Sequence, residues 1–194
     1  MSKPDIPSNT KLIVTSRVYW ELDAASEIWH CLKTTGVCNN AEIVFVKQRN
    51  KLIRGLFAVV FDGDSREAVR RIRSYLLKHP WIMKYSQRII PVELVTVNFD
   101  EVINFVKENS KRINEEASWM IRVSRHNADI SKTQIIEKVA PLITKGRVDL
   151  KNPEWIINIE CILKTFAVAI IRKEELIRRK ELKKHLKGKL LEDD

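Results

Sequence analysis

The chain has 194 residues, a net charge of +10 and a pI near 9.6. Its 44% hydrophobic and 31% charged residues describe a globular protein with enough chain for one or two domains. The apolar runs are strand-length, which excludes a membrane span. Three cysteines (Cys31, Cys38 and Cys161) with no Cys-x-x-Cys exclude a disulfide framework and point to free buried thiols in a reducing cytoplasm. The positive excess favours a polyanionic partner, although a basic solvated surface gives the same pI.

After a polar, proline-containing start, Lys11–Ser16 reads as a short apolar strand. Leu22, Ala25, Ile28, Trp29 and Leu32 recur at helical spacing over Glu21–Thr34, and Gly36 supplies a stop. Ala41–Val46 and Leu52–Phe61 are rich in β-branched and aromatic residues and are joined by a Lys-Gln-Arg-Asn-Lys turn. Asp64 or Ser65 caps a helix that runs to about His79, where Pro80 ends it. Trp81–Val97 starts irregular and becomes strand-like. This β-α-β-β-α-β order predicts a ferredoxin-like unit over residues 1–90.

An amphipathic helix follows from Asp100 to Ile113, with Val102, Phe105 and Val106 facing a core. Strand 118–126 alternates Trp119, Ile121 and Val123 against Met120, Arg122 and Ser124. A helix over Asp129–Ala140 leads to Gly146-Arg-Val-Asp-Leu-Lys-Asn-Pro153. There Asp149 and Asn152 can bond neighbouring backbone, and Asn152 is held extended by Pro153. The next strand places Trp155, Ile157 and Ile159 on one face and Ile156, Asn158 and Glu160 on the other. A closing strand covers Phe166–Ile171. The charged stretch from Arg172 to Asp194 reads as an exposed helix, residues 173–194 forming a tail.

The Val-Asp-Leu-x-x-Pro string before an acid-bearing strand resembles the THUMP domain, an RNA-binding module of tRNA-modifying enzymes. Ser118–His126, Asp129–Ala140 and Phe166–Ile171 resemble that domain's other elements in the same order, over residues 91–172. With the N-terminal half and its Arg88-Ile-Ile-Pro-Val-Glu93 join, the chain is similar to free-standing THUMP proteins that assist a tRNA acetyltransferase. The resemblance implies an α+β fold and a cytoplasmic tRNA-binding adaptor, whose partners are tRNA and a separate RNA cytidine acetyltransferase. Service to a thiolation or methylation system is a second reading, and an enzyme with an unrecognised active site a third.

No glycine-rich nucleotide loop or deaminase pattern is present, and the sequence predicts neither a cofactor nor a catalytic residue. His30, Cys31 and Cys38 lack a fourth ligand and read as packing residues rather than a metal site. Glu115-Glu116 and Glu174-Glu175 read as solvated pairs. The candidate RNA-binding set is Arg122, Arg125, His126, Lys132, Lys145, Arg147 and Lys151, around one strand end and the Val-Asp-Leu loop. Lys132 sits in a first helical turn, where backbone charge adds to its own. Arg66, Arg70 and Arg73 form a second basic stripe, suited to the tRNA body or an acidic partner.

Overall fold

The computed structural model describes residues 3–184. Its elements are β1 (Thr10–Ser16), α1 (Glu21–Thr34), β2 (Glu42–Gln48), β3 (Lys51–Val60), α2 (Ser65–Lys78), β4 (Ser86–Pro91) and β5 (Leu94–Thr96). They continue with α3 (Phe99–Asn109), β6 (Ser118–His126), α4 (Lys132–Val139), β7 (Arg147–Val148), β8 (Trp155–Ile162), β9 (Thr165–Arg172) and β10 (Ile177–Arg178). Two five-stranded sheets result, ordered β10-β4-β1-β3-β2 and β5-β9-β8-β6-β7.

Alternation along the strands builds four layers. Leu12, Val14 and Phe57 on one face of the first sheet pack against α1 and α2. Ile13, Ala58 and Ile90 on its other face meet Ile156, Ala169 and Ile171 of the second sheet. The far face of that sheet, with Ile121, Ile157 and Val168, is covered by α3 and α4. Strand β8 is buried along its whole length because both of its faces are interfaces.

Local chemistry explains most element ends. Asp64 accepts from the Glu67 N–H at 2.6 Å as the N-cap of α2. Asn98 caps α3 by accepting from Asp100 N–H at 2.9 Å. Arg49 and Asn50 both take positive φ in the turn between β2 and β3.

Three expectations are corrected. In α1 the buried stripe is Ala24, Ala25, Ile28, Cys31 and Leu32 together with Glu21, while Leu22 and Trp29 face solvent. Helical spacing admits both phases, and Glu21 decides between them, since its carboxylate accepts from Gly55 N–H at 2.7 Å. The tail does not begin as a helix: Lys173–Glu175 forms a 3-10 turn and Ile177–Arg178 pairs with β4. Of the tail's described residues only 179–184 are α-helical, and 185–194 lie outside the described residues. Finally, Glu175 is not solvated but 2% exposed.

Candidate nucleic-acid interface

The Val-Asp-Leu loop is fixed by its own sequence. Asp149 accepts from the N–H groups of Lys151 at 2.8 Å and Asn152 at 2.9 Å. These bonds come first in holding the Asp149 carboxyl below its usual range, ahead of the nearby Arg147 and Lys151 charges. The loop is then stitched to β6. Arg147 N–H donates to Ala117 O and Asp149 N–H to Trp119 O, both at 2.9 Å. The indole of Trp119 donates to Lys145 O at 3.0 Å. Gly146, at φ +76°, lies where an added Cβ would stand 2.4 Å from Ala117 O. No other residue fits there without moving the loop.

This loop forms one wall of a cleft of about 500 Å³ between the two sheets. The cleft is lined by Arg88 of β4, Arg122 of β6, Lys132 of α4, Lys151, Lys173 and Arg178 of β10, with Met120, Ile136, Leu150 and Ile156 supplying apolar floor. Of the sequence-predicted set it therefore gathers Arg122, Lys132 and Lys151. Arg88, Lys173 and Arg178 were not anticipated. Arg88 shares the strand face of the buried Ile90 two residues on, which is the signal that sequence offered; Arg178 lay in a stretch read as helix.

The other candidates stand elsewhere. Arg125 points to the opposite face of β6, where its Nη1 donates to Ile130 O at 3.1 Å. His126 is half-buried, with Nε2 2.8 Å from Glu160 Oε2. Lys145 is 3.6 Å from Glu115, and Arg147 is exposed on the edge strand β7. The second stripe is engaged internally. Arg66 Nε and Arg70 Nη1 reach the two oxygens of Glu175 at 2.9 and 2.7 Å, while Arg73 makes no ion pair among the described residues. The acidic partner of Arg66 and Arg70 is thus within the chain.

Charge in the cleft is unbalanced. Arg88 and Arg178 lie directly opposite each other in the β4–β10 pair, an arrangement that costs energy when both are cations. Burial, then the charges of Arg178 and Arg88, push the Arg122 pKa down, and Glu160 and Glu181 only partly offset them. Glu160 is fully buried. Burial opposes its ionisation, but the His126 hydrogen bond, Arg88 and Asn158 hold its carboxyl below the usual range. The nearest Arg88 nitrogen is 3.8 Å from Glu160, and the same Nη1 donates to Ser124 Oγ at 3.3 Å. Arg122 Nη1 and Arg178 Nε are buried and find no hydrogen-bond partner among the described residues. Buried cationic donors without partners are costly, and an anion in the cleft would offset the excess positive charge around them.

The cysteines are packing residues by environment. Burial drives the Cys31 and Cys161 thiols up to about 12, and His30 Nε2 lies 3.0 Å from the Tyr75 hydroxyl. No described helix is long and apolar enough to cross a membrane.

Comparison with known proteins bears on the second sheet. The THUMP domain family matches residues 97–171. Among solved structures, the chain is similar to PH1313 from Pyrococcus horikoshii Ot3, with 17% identity and a TM-score of 0.56 over 84% of this chain and 55% of that one. It is also similar to TrmN from Thermus thermophilus, with 12% identity and a TM-score of 0.49 over 82% of this chain and 44% of that one. A 4-thiouridine synthetase in complex with RNA and ATP gives 13% identity and a TM-score of 0.46 over 84% and 42%. The chain thus spans little more than half the length of PH1313, and that likeness shows the fold. No curated protein matches the chain. The segment from α3 through β9, including the basic loop and the strand beneath the cleft, contains a THUMP domain at residues 97–171.

Proposed function

We propose that the protein is a non-catalytic tRNA-binding adaptor that presents tRNA to a separate acetyltransferase for N4-acetylcytidine formation. The observation that carries the RNA-binding part is the cleft itself. Six cations surround it, and two of their guanidinium nitrogens are buried without partners among the described residues. RNA phosphates neutralise this excess of positive charge, and a cleft that reads backbone rather than base edges suits a partner recognised by shape. The presence of a THUMP domain supports the same reading. In this proposal the first sheet with α1 and α2 is a ferredoxin-like unit that contributes Arg88 and Arg178, and the protein works in the cytoplasm.

The adaptor acts by positioning. It grips tRNA by its backbone and holds the enzyme alongside, so that the target base meets the catalyst at high effective concentration. The choice of acetylation rests on the resemblance of both halves of the chain to acetyltransferase accessory proteins. It is tested by reconstitution with tRNA, acetyl-CoA, ATP and the acetyltransferase, with and without this protein. N4-acetylcytidine yield rises with the adaptor and does not form with the adaptor alone. Equal yield in the two reactions overturns the acetylation role and leaves a thiolation or methylation system as the reading to test. Product formed by this chain alone would make it an enzyme.

A further inference from the structure

The loop between β1 and α1 carries aromatic rings that the fold does not use. Tyr19 is 76% exposed, and Trp20 and Val18 are also exposed. Tyr19 nevertheless sits at φ 71°, a conformation that is strained for any residue with a Cβ. A ring in solvent gains little burial to offset that strain, so the fold gives no reason for tyrosine here. Strain maintained at an exposed position is a pointer to function.

The strain is held in place by a dedicated support. The buried Glu21 carboxylate accepts from Tyr19 N–H at 3.2 Å and from Gly55 N–H at 2.7 Å. Behind the loop, Trp20 stacks on Tyr85 with centroids 4.6 Å apart and planes 11° from parallel. Tyr85 is fixed in turn, because Glu27 accepts from the N–H groups of Lys84, Tyr85 and Ser86 at 2.7 to 2.8 Å. The backbone under Tyr19 and the Trp20–Tyr85 stack are therefore held in place. Cations accompany them: the Arg54 guanidinium lies 4.8 Å from the Tyr19 ring centre, and Lys84 Nζ lies 5.1 Å from that of Tyr85.

Exposed rings interleaved with cations form the chemistry of a base-stacking surface, where the ring holds a nucleobase and the cation its phosphate. A protein-docking core is instead depleted of charge. Glu21 and Glu27 are occupied by backbone N–H groups, which leaves the exposed Asp23 of α1 as the acid set against Arg54 and Lys84. The loop also lies next to the cleft. Thr15 of β1 accepts from Arg88 Nε at 3.2 Å, and Tyr19 follows four residues later, at most about 14 Å along the chain.

We propose that the Val18–Trp20 loop is a second RNA contact, at which an unpaired base stacks on Tyr19 while the adjoining phosphates run into the cleft. This rests on the RNA-binding reading above and adds a stacking site to it. The test measures tRNA and oligoadenylate binding by anisotropy across a salt series, for the full chain and four variants. Tyr19→Gly removes the ring and relieves the positive φ. It therefore keeps or raises the melting temperature, weakens RNA binding about tenfold and leaves the salt slope unchanged. Tyr19→Asn, which also tolerates this backbone, gives the same loss, and Tyr19→Phe stays near the parent. Unchanged affinity in Tyr19→Gly and Tyr19→Asn overturns the proposal. So does unchanged affinity with lost stimulation of the acetyltransferase, which would assign the loop to a protein partner. The charge variant Lys132→Glu/Lys151→Glu separates the two claims. If the parent protein binds no RNA at low salt, the RNA-binding reading itself fails. If the parent binds and the charge variant does not, but the Tyr19 variants are silent, only the stacking site fails.

Discussion

Two arginine clusters flank the junction of the sheets, and they solve the problem of buried charge in opposite ways. At one, Arg66 and Arg70 from α2 converge on Glu175, which also accepts from Arg172 N–H at 2.8 Å. Both oxygens of that carboxylate accept at short distance, and the result ties α2 to the chain emerging from β9. At the other, Arg88, Arg122 and Arg178 crowd together: Glu160, bonded to His126, stands 3.8 Å from the nearest Arg88 nitrogen, and Arg178 Nη1 reaches Glu181 at 3.2 Å. Two guanidinium nitrogens there have no partner among the described residues. Two guanidinium groups thus form a lock in one place and three a receptor in the other. What distinguishes them is whether short hydrogen bonds exhaust the donors, because an arginine whose donors are spent inside the chain has little left for a ligand.

The comparison breaks most visibly through Glu175. Glu175→Ala strands Arg66, Arg70 and a backbone N–H, and costs about 3 kcal/mol, since removing one partner of a buried pair is costly even where Arg70 is half exposed. For a chain of this size that is a fall of roughly 6–12 °C in Tm by calorimetry. RNA affinity of the folded variant stays within about twofold of the parent, because the cleft's own cations are untouched. An equal loss of RNA binding would make the Glu175 cluster part of the interface.

Next in size is Gly146→Ala. The new methyl stands 2.4 Å from Ala117 O at a positive φ, so the loop shifts at a cost of about 2 kcal/mol, read by denaturant unfolding. The shift also displaces Lys151 and weakens RNA binding, which separates this variant from Glu175→Ala. Lys132→Glu with Lys151→Glu does the reverse. Stability moves by no more than about 0.5 kcal/mol per site, while tRNA affinity falls at least about tenfold and the salt slope by about two. With about six phosphate contacts the parent slope is near −4 to −5.

The smallest effect is the pH dependence carried by Glu160. Its folded-state carboxyl lies below the usual 4.5, so its stabilisation is complete above that value and is lost as pH falls through the lowered one. Stability is therefore insensitive to Glu160 between pH 5 and 7 and declines only below about 4.5, and the Glu160→Gln variant shows a shallower acid limb. A Glu160 contribution that changes between pH 5 and 7 would mean that the carboxyl is raised instead.

Much of this molecule is local and hence legible. Helix α1 has the bounds Glu21–Thr34 that periodicity and Gly36 gave, and of the two caps that α2 allowed, Asp64 or Ser65, it is Asp64 that caps it. The turn at Asp149 uses the backbone bonds that an Asp two and three residues ahead of its donors can make. In β6 the alternation placed Trp119, Ile121 and Val123 in the core and Arg122 on the cleft side. The same alternation puts Arg125, three residues on, on the face opposite Arg122; what spacing does not say is which of the two faces meets the first sheet.

The sequence by itself therefore determined the elements, their order, the loop chemistry and the positive charge, because each depends on residues a few positions apart. Only the tertiary structure decided what that charge is for. Arg178 meets Arg88 because a short strand after β9 returns to the first sheet, and Arg66 meets Glu175 because α2 lies over that return. Leu22 faces solvent because a distant Gly55 N–H draws Glu21 inward. Each outcome hangs on a pairing between segments far apart in the chain, where one hydrogen bond or one strand register redirects a side chain without leaving any local trace.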